Sequence, residues 1–262
     1  MPRRLAVVLM LALAVLAISM SVHAVRQVNA PPPPLADSPV LAAAMAPPAT
    51  QAPADDGSAT ATADPPAQDG PAVDLATWTS ALSPDGAHLL VVGDGYSNLP
   101  SQWVQQWGVI VGAERPVAIR HWGETADVSF NEPIELSTGD GPSLTIWSAS
   151  RDGSTVQDAV ERLERFASAA AEPDAVLVSL GQGSGGEDVA GALDALLEGL
   201  PDVPVLLVVG PAGLYDAGVG DAIAGWGEEH TEQVVTVDLR DAVAEAPTAE
   251  EWALAFQDAL DG

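Results

Sequence analysis

His88-Leu-Leu-Val-Val-Gly-Asp-Gly-Tyr-Ser97 is the stretch whose reading decides the fold. Leu89 to Val92 are apolar without alternation, as in a strand covered on both faces, and the run ends in a turn built on Gly93 and Gly95. Five further apolar runs follow: Pro116–Trp122, Leu144–Ser148, Ala175–Leu180, Val203–Gly210 and Val234–Leu239. Helical periods separate them. Val156, Val160, Leu163 and Ala167 form one stripe, and Val189, Leu193, Leu196, Leu197 and Leu200 a second. Thr248 and Glu251 have capping-box spacing before a last helix that presents Trp252, Ala255, Phe256 and Ala259 inward. Alternating β and α elements predict an α/β fold, a three-layer α/β/α sandwich with a doubly wound parallel sheet. In such sheets ligands bind outside the carboxyl ends of the strands. That places the default site among three glycine-bearing loops, Gly93–Ser97, Ser150–Gly153 and Gly181–Gly186.

The chain has 262 residues, nine arginines, no lysine and 37 acids, for a formal net charge of −28. Such a surface repels nucleic acid and anionic headgroups. Its bland explanation is solubility or salt adaptation. With no cysteine, disulfides and thiol catalysis are excluded. No calcium-loop pattern and no metal-spaced histidine pair is present, so neither metal nor cofactor is expected.

Residues 1–25 read as a signal peptide or an N-terminal membrane anchor: Arg3 and Arg4 precede an apolar run, and Val22-His23-Ala24 suits cleavage. Both alternatives leave the remainder outside the cytoplasm, secreted or anchored to the outer face of the membrane. Residues 26–75 are rich in Pro and Ala without apolar periodicity, the composition of a disordered linker. Residues 76–262 then form one domain, with the membrane engaged only through the N-terminal segment.

Taken together, the loops resemble those of the SGNH/GDSL hydrolase family, in its secreted form, over roughly Ala87 to Leu260. Leu90-Val-Val-Gly-Asp-Gly-Tyr-Ser97 is similar to the first family block, normally Gly-Asp-Ser with an aromatic residue and a second serine. Leu144-Thr-Ile-Trp-Ser-Ala-Ser-Arg-Asp-Gly153 resembles the second, whose glycine donates a backbone N–H to the oxyanion. Leu177-Val-Ser-Leu-Gly-Gln-Gly-Ser184 resembles the third, normally Gly-x-Asn-Asp. Ala246-Pro-Thr-Ala-Glu-Glu-Trp252 resembles the helix after the Asp-x-x-His-Pro element.

On that resemblance Gly95 stands for the nucleophile, Gly183 for the oxyanion asparagine, Ala246 for the general-base histidine and Val243 for its aspartate. Asp94, Gly95, Gly153, Gly183 and Ala246 would then be a vestigial site, with the Gly95 and Gly153 N–H groups still able to face an oxyanion. In a comparable Ser-His-Asp enzyme, losing the serine or histidine costs on the order of 10⁶ in kcat. The implied role is binding or scaffolding at the cell envelope, of an acylated or glycan ligand. The alternative is an active esterase or acylhydrolase with Ser97 as nucleophile, against which Ser97 reads as a local turn or capping residue. It requires a base, and His88, His121 and His230 are each placed poorly. Asp94 and Asp238 are expected to hold backbone, and Trp103 and Trp107 to be core or, less simply, a sugar-stacking face. A third alternative is a purely structural module whose cleft binds nothing.

Overall fold

The computed structural model describes residues 73–262. The signal or anchor segment, and the linker up to residue 72, lie outside the described residues. Among the described residues no helix is long and apolar enough to cross a membrane.

Seven strands and six α-helices build the domain. In chain order they are α1 (Leu75–Ala81), β1 (Ala87–Gly93), α2 (Trp103–Val111), β2 (Val117–His121), β3 (Ile134–Ser137), β4 (Leu144–Ser150), α3 (Val156–Ala169), β5 (Ala175–Ser179), α4 (Val189–Gly199), β6 (Val205–Val209), α5 (Val219–Glu229), β7 (Val234–Asp238) and α6 (Ala249–Asp261). A short 3₁₀ turn, Ala212–Leu214, follows β6. The sheet order is β3-β2-β4-β1-β5-β6-β7, parallel except for β3, which runs antiparallel to β2 at one edge. This is the α/β sandwich that the apolar runs imply, and all six expected strands form within two residues of their expected ends.

The strands are apolar throughout because both faces are covered. In β1, Leu90 and Val92 enter a core shared with Phe166 of α3, Leu193 of α4 and Trp226 of α5. Leu89 and Val91 enter the opposite core, with Trp78 of α1, Trp103 of α2 and Trp252 and Phe256 of α6. Trp103 stacks on Trp252 with ring centroids 5.1 Å apart and planes 9° apart, and Trp107 meets Phe256 edge-on. These tryptophans are therefore core residues and offer no open face to a sugar.

Capping boxes open α3 (Thr155 with Asp158) and α6 (Thr248 with Glu251). The inward stripe of α3 is Val156, Ala159, Leu163 and Phe166, with Ala167 exposed. In α6 it is Trp252, Ala253 and Phe256, so Ala253 takes the fully buried place expected for Ala255. In both helices the apolar face follows the bulky aromatic residue, Phe166 or Trp252, and the small alanines fall where they are left.

What positions the site is register. Chain order reverses about β1, which lies between β4 and β5, and Gly93 pairs with Ser150 on one side and Ser179 on the other. The carboxyl ends of the three central strands are thus flush, and their loops meet over β1.

Candidate functional site

Asp94 to Ser97 form a turn closed by the Ser97 N–H donating to the Asp94 carbonyl, 3.1 Å. The Asp94 side chain is fully buried beneath this turn. Its two oxygens accept from the backbone N–H of Tyr96, 2.9 Å, and of Gln182, 3.0 Å. Burial raises its pKa to about 7, against the lowering effect of those backbone donors. Asp94 thus holds backbone, as its place in the turn suggests, and ties the loop after β1 to the loop after β5.

The decisive geometry lies above it. The amide oxygen of Gln182 accepts from the backbone N–H of Gly95, 2.9 Å, and from that of Gly153, 3.2 Å. Two N–H groups from separate loops converging on one oxygen is the arrangement of an oxyanion hole. Here the oxygen belongs to the protein itself. Gln182 was not singled out from the sequence; the neighbouring Gly183 was. Gly183 has φ +66° and is exposed, so it forms the bend that turns Gln182 inward. A polar side chain between two glycines at a strand end was the available signal.

The same side chain accounts for glycine at position 95. A Cβ there would stand 2.4 Å from the Gln182 amide oxygen and 2.6 Å from a carboxylate oxygen of Asp152. Room for any side chain at position 95 is therefore already taken. Gly181 answers to a different neighbour, since a Cβ there would lie 2.6 Å from the Tyr215 ring.

Buried hydroxyls cluster at the carboxyl ends of β1, β4 and β5 and in the loops that follow: Ser97, Ser148, Ser150, Ser154, Ser179 and Ser184. The Ser148 hydroxyl donates to the Ser97 carbonyl, 3.0 Å, and Ser184 accepts from the Val156 N–H at the start of α3, 3.1 Å. The Ser97 hydroxyl is fully buried and without a hydrogen-bond partner. It caps no helix, since α2 begins six residues later behind Gln102.

Among the described residues no histidine bonds the Ser97 hydroxyl. His88 accepts from the Trp147 indole N–H, 3.2 Å. His121 bonds the Gln105 amide oxygen, 2.8 Å, and burial pushes its pKa down to about 4. His230 stacks on Trp226, centroids 4.2 Å apart, and bonds that residue's carbonyl. Ala246 is exposed and Val243 half-buried in the segment after β7, where neither carries a titratable group. Asp238, at the end of β7, is bonded by the Arg240 guanidinium, 2.6 Å at its shortest.

Acids surround the closed site. Glu124 accepts from the Asp152 N–H, 2.8 Å, and from Asn98, 2.6 Å, so Glu124 and Asp152 sit at the rim over buried Asp94. Developing negative charge on a reacting carbonyl would be opposed by these groups at close range. Two open grooves, of about 730 and 610 Å³, lie at the other end of the strands, one lined by Leu200, Pro204 and Gln233, the other by Trp78, Arg115 and Leu144.

No protein-family model matches the chain, and neither does any curated protein. Solved structures of similar fold exist. The lipase/acylhydrolase from Enterococcus faecalis is 16% identical, TM-score 0.41, over 60% of this chain and 77% of its own. The psychrotrophic esterase EstA from Pseudoalteromonas sp. is 17% identical, TM-score 0.43, over 66% and 94%. AlinE4, an SGNH-hydrolase family esterase, is 16% identical, TM-score 0.38, over 58% and 76%. Likeness at that level transfers no residue role and no activity to this chain.

Proposed function

We propose that this domain is a non-hydrolytic relative of the SGNH/GDSL hydrolases. Its role is binding or scaffolding at the cell envelope, exported and tethered by its N-terminal segment. The observation that carries the reading is the Gln182 amide oxygen seated on the Gly95 and Gly153 N–H groups. A site that fills its own oxyanion position, lacks a hydroxyl at 95 and has no imidazole bonded to the Ser97 hydroxyl among the described residues lacks an activated nucleophile for acyl transfer. With the Gly95 and Gly153 N–H groups already taken by Gln182, recognition through the outer surface is favoured over capture of an acyl oxygen on those two donors.

The esterase alternative asks Ser97 to act as nucleophile. Against it, no histidine or carboxylate hydrogen-bonds the Ser97 hydroxyl among the described residues, and the group is sealed from solvent. The test is turnover of p-nitrophenyl acetate and of an acetylated saccharide by the full chain. Rates equal to those of buffer are expected. Turnover abolished by Ser97→Ala would overturn the reading. Export is tested separately, by surface biotinylation of intact cells, and an exclusively cytoplasmic pool would refute that part.

A further inference from the structure

Arginine is scarce in this chain, yet three of its nine arginines converge on a single carboxylate. Asp127, in the loop between β2 and β3, accepts from Arg162 Nη1 at 2.8 and 3.0 Å and from Arg165 Nη1 at 2.7 Å, with Arg151 Nη1 at 3.3 Å. The Trp122 indole N–H also donates to it, 2.9 Å. Arg162 and Arg165 are three apart on one face of α3, and Arg151 is the first residue after β4.

We propose that Arg151, Arg162 and Arg165 form a binding site for a tetrahedral oxyanion, a phosphate or sulfate group, on the surface beside the 151–153 loop. In direct contact, three guanidinium groups meet a single carboxylate. Among the described residues no other acid lies within ion-pair reach of these guanidinium groups, although Glu161 and Glu164 alternate with them along α3. Each guanidinium uses only Nη1. The Nε and Nη2 donors of all three make no hydrogen bond to protein among the described residues. The side chains are 30, 25 and 49% exposed, so those donors are reachable from solvent while their stems are held.

Planar guanidinium forks arriving from different elements suit an anion with oxygens in several directions, and pre-placement on Asp127 lowers the ordering cost. A mere clamp for the 123–130 loop needs one arginine to balance Asp127. The overall charge of the chain opposes anions, but beyond about 8 Å at physiological salt that repulsion is screened, whereas the cluster acts in contact. This inference does not depend on whether the loop site is catalytic.

The test is calorimetric titration of the full chain with inorganic phosphate at pH 7, at constant ionic strength, with chloride as control. Saturable binding is expected, weakened about tenfold in Arg162→Gln and in Arg165→Gln, and unchanged in Arg240→Gln, whose guanidinium is engaged by Asp238. Near-UV circular dichroism of each variant establishes that it is folded. Arg165→Lys, at the most exposed position, retains charge without the fork and is expected to fall between wild type and Arg165→Gln. Dimethyl phosphate separates the sources: comparable binding points to a phosphodiester in a polymer, and much weaker binding to a free or terminal phosphate. No heat beyond the chloride control, or binding unaltered in both glutamine variants, would overturn the proposal.

Discussion

Replacing Gly95 by serine and Gln182 by alanine, singly and together, probes the closed site directly. Gln182→Ala removes two hydrogen bonds, from Gly95 and Gly153. At about 1 kcal/mol each the loss is about 2 kcal/mol, the larger part from the buried Gly95 N–H, because the exposed Gly153 N–H regains water. Gly95→Ser places a Cβ 2.4 Å from the Gln182 amide oxygen, so the side chain must leave and the same two bonds are lost. Gly95 is outside the left-handed region, so serine brings no backbone strain of its own. The single variants should therefore each lose about 2 kcal/mol. The double variant should also lose about 2, because one event is being counted twice, a coupling of about 2 kcal/mol. Urea unfolding of the full chain, followed by tryptophan fluorescence, measures all four corners of the cycle. Additivity within about 0.5 kcal/mol would refute the reasoning, because it would mean that serine at 95 and the Gln182 amide coexist.

Three further outcomes follow from other parts of the structure. Asp94 keeps its proton up to about pH 7 when folded and releases it near pH 4 when unfolded, so its contribution to stability is complete below pH 4 and lost as pH rises to 7. That contribution is on the order of 4 kcal/mol, and the fall in stability between about pH 4 and 7 should be shallower in Asp94→Asn; an equal slope would contradict the assignment. Trp103→Ala removes a fully buried ring stacked on Trp252 and should cost about 3–5 kcal/mol in urea unfolding, with less than 1 counting against the packing. Arg115 donates to the carbonyls of Leu82, Pro84, Pro142 and Ser143, so Arg115→Met should cost about 2–3 kcal/mol, and a neutral result would show those loops closed without it.

The central strands were legible because parallel strands buried on both faces read as unbroken apolar runs. Strand β3 was not, since Ile134–Ser137 is four residues long, at the edge and half exposed, and so writes no run. Helix α5 was obscured by its own packing: a Cβ at Gly227 would lie 2.3 Å from the Thr236 hydroxyl, so close approach to β7 demands glycine where a periodic pattern wants an apolar residue. Helix α1 is about two turns long, and its anchor, Trp78, is fixed by a bond from its indole to the Val176 carbonyl, 98 residues away.

At the site, the loops and the glycines could be placed from strand ends alone. The partner of Gly95 could not, because Gln182 lies 87 residues away and meets it only through the flush register of β1 and β5. That position 95 carries no hydroxyl was readable from one residue. Occupation of the space it would need was a property of three loops together.

Fluorophosphonate labelling of the full chain, read by intact mass beside Ser97→Ala, tests the central claim most directly. A protein whose oxyanion position is filled by Gln182, and whose Ser97 hydroxyl is buried without a base, should show the unmodified mass throughout. A stoichiometric adduct on wild type that disappears in Ser97→Ala would contradict the account and make this chain a working hydrolase.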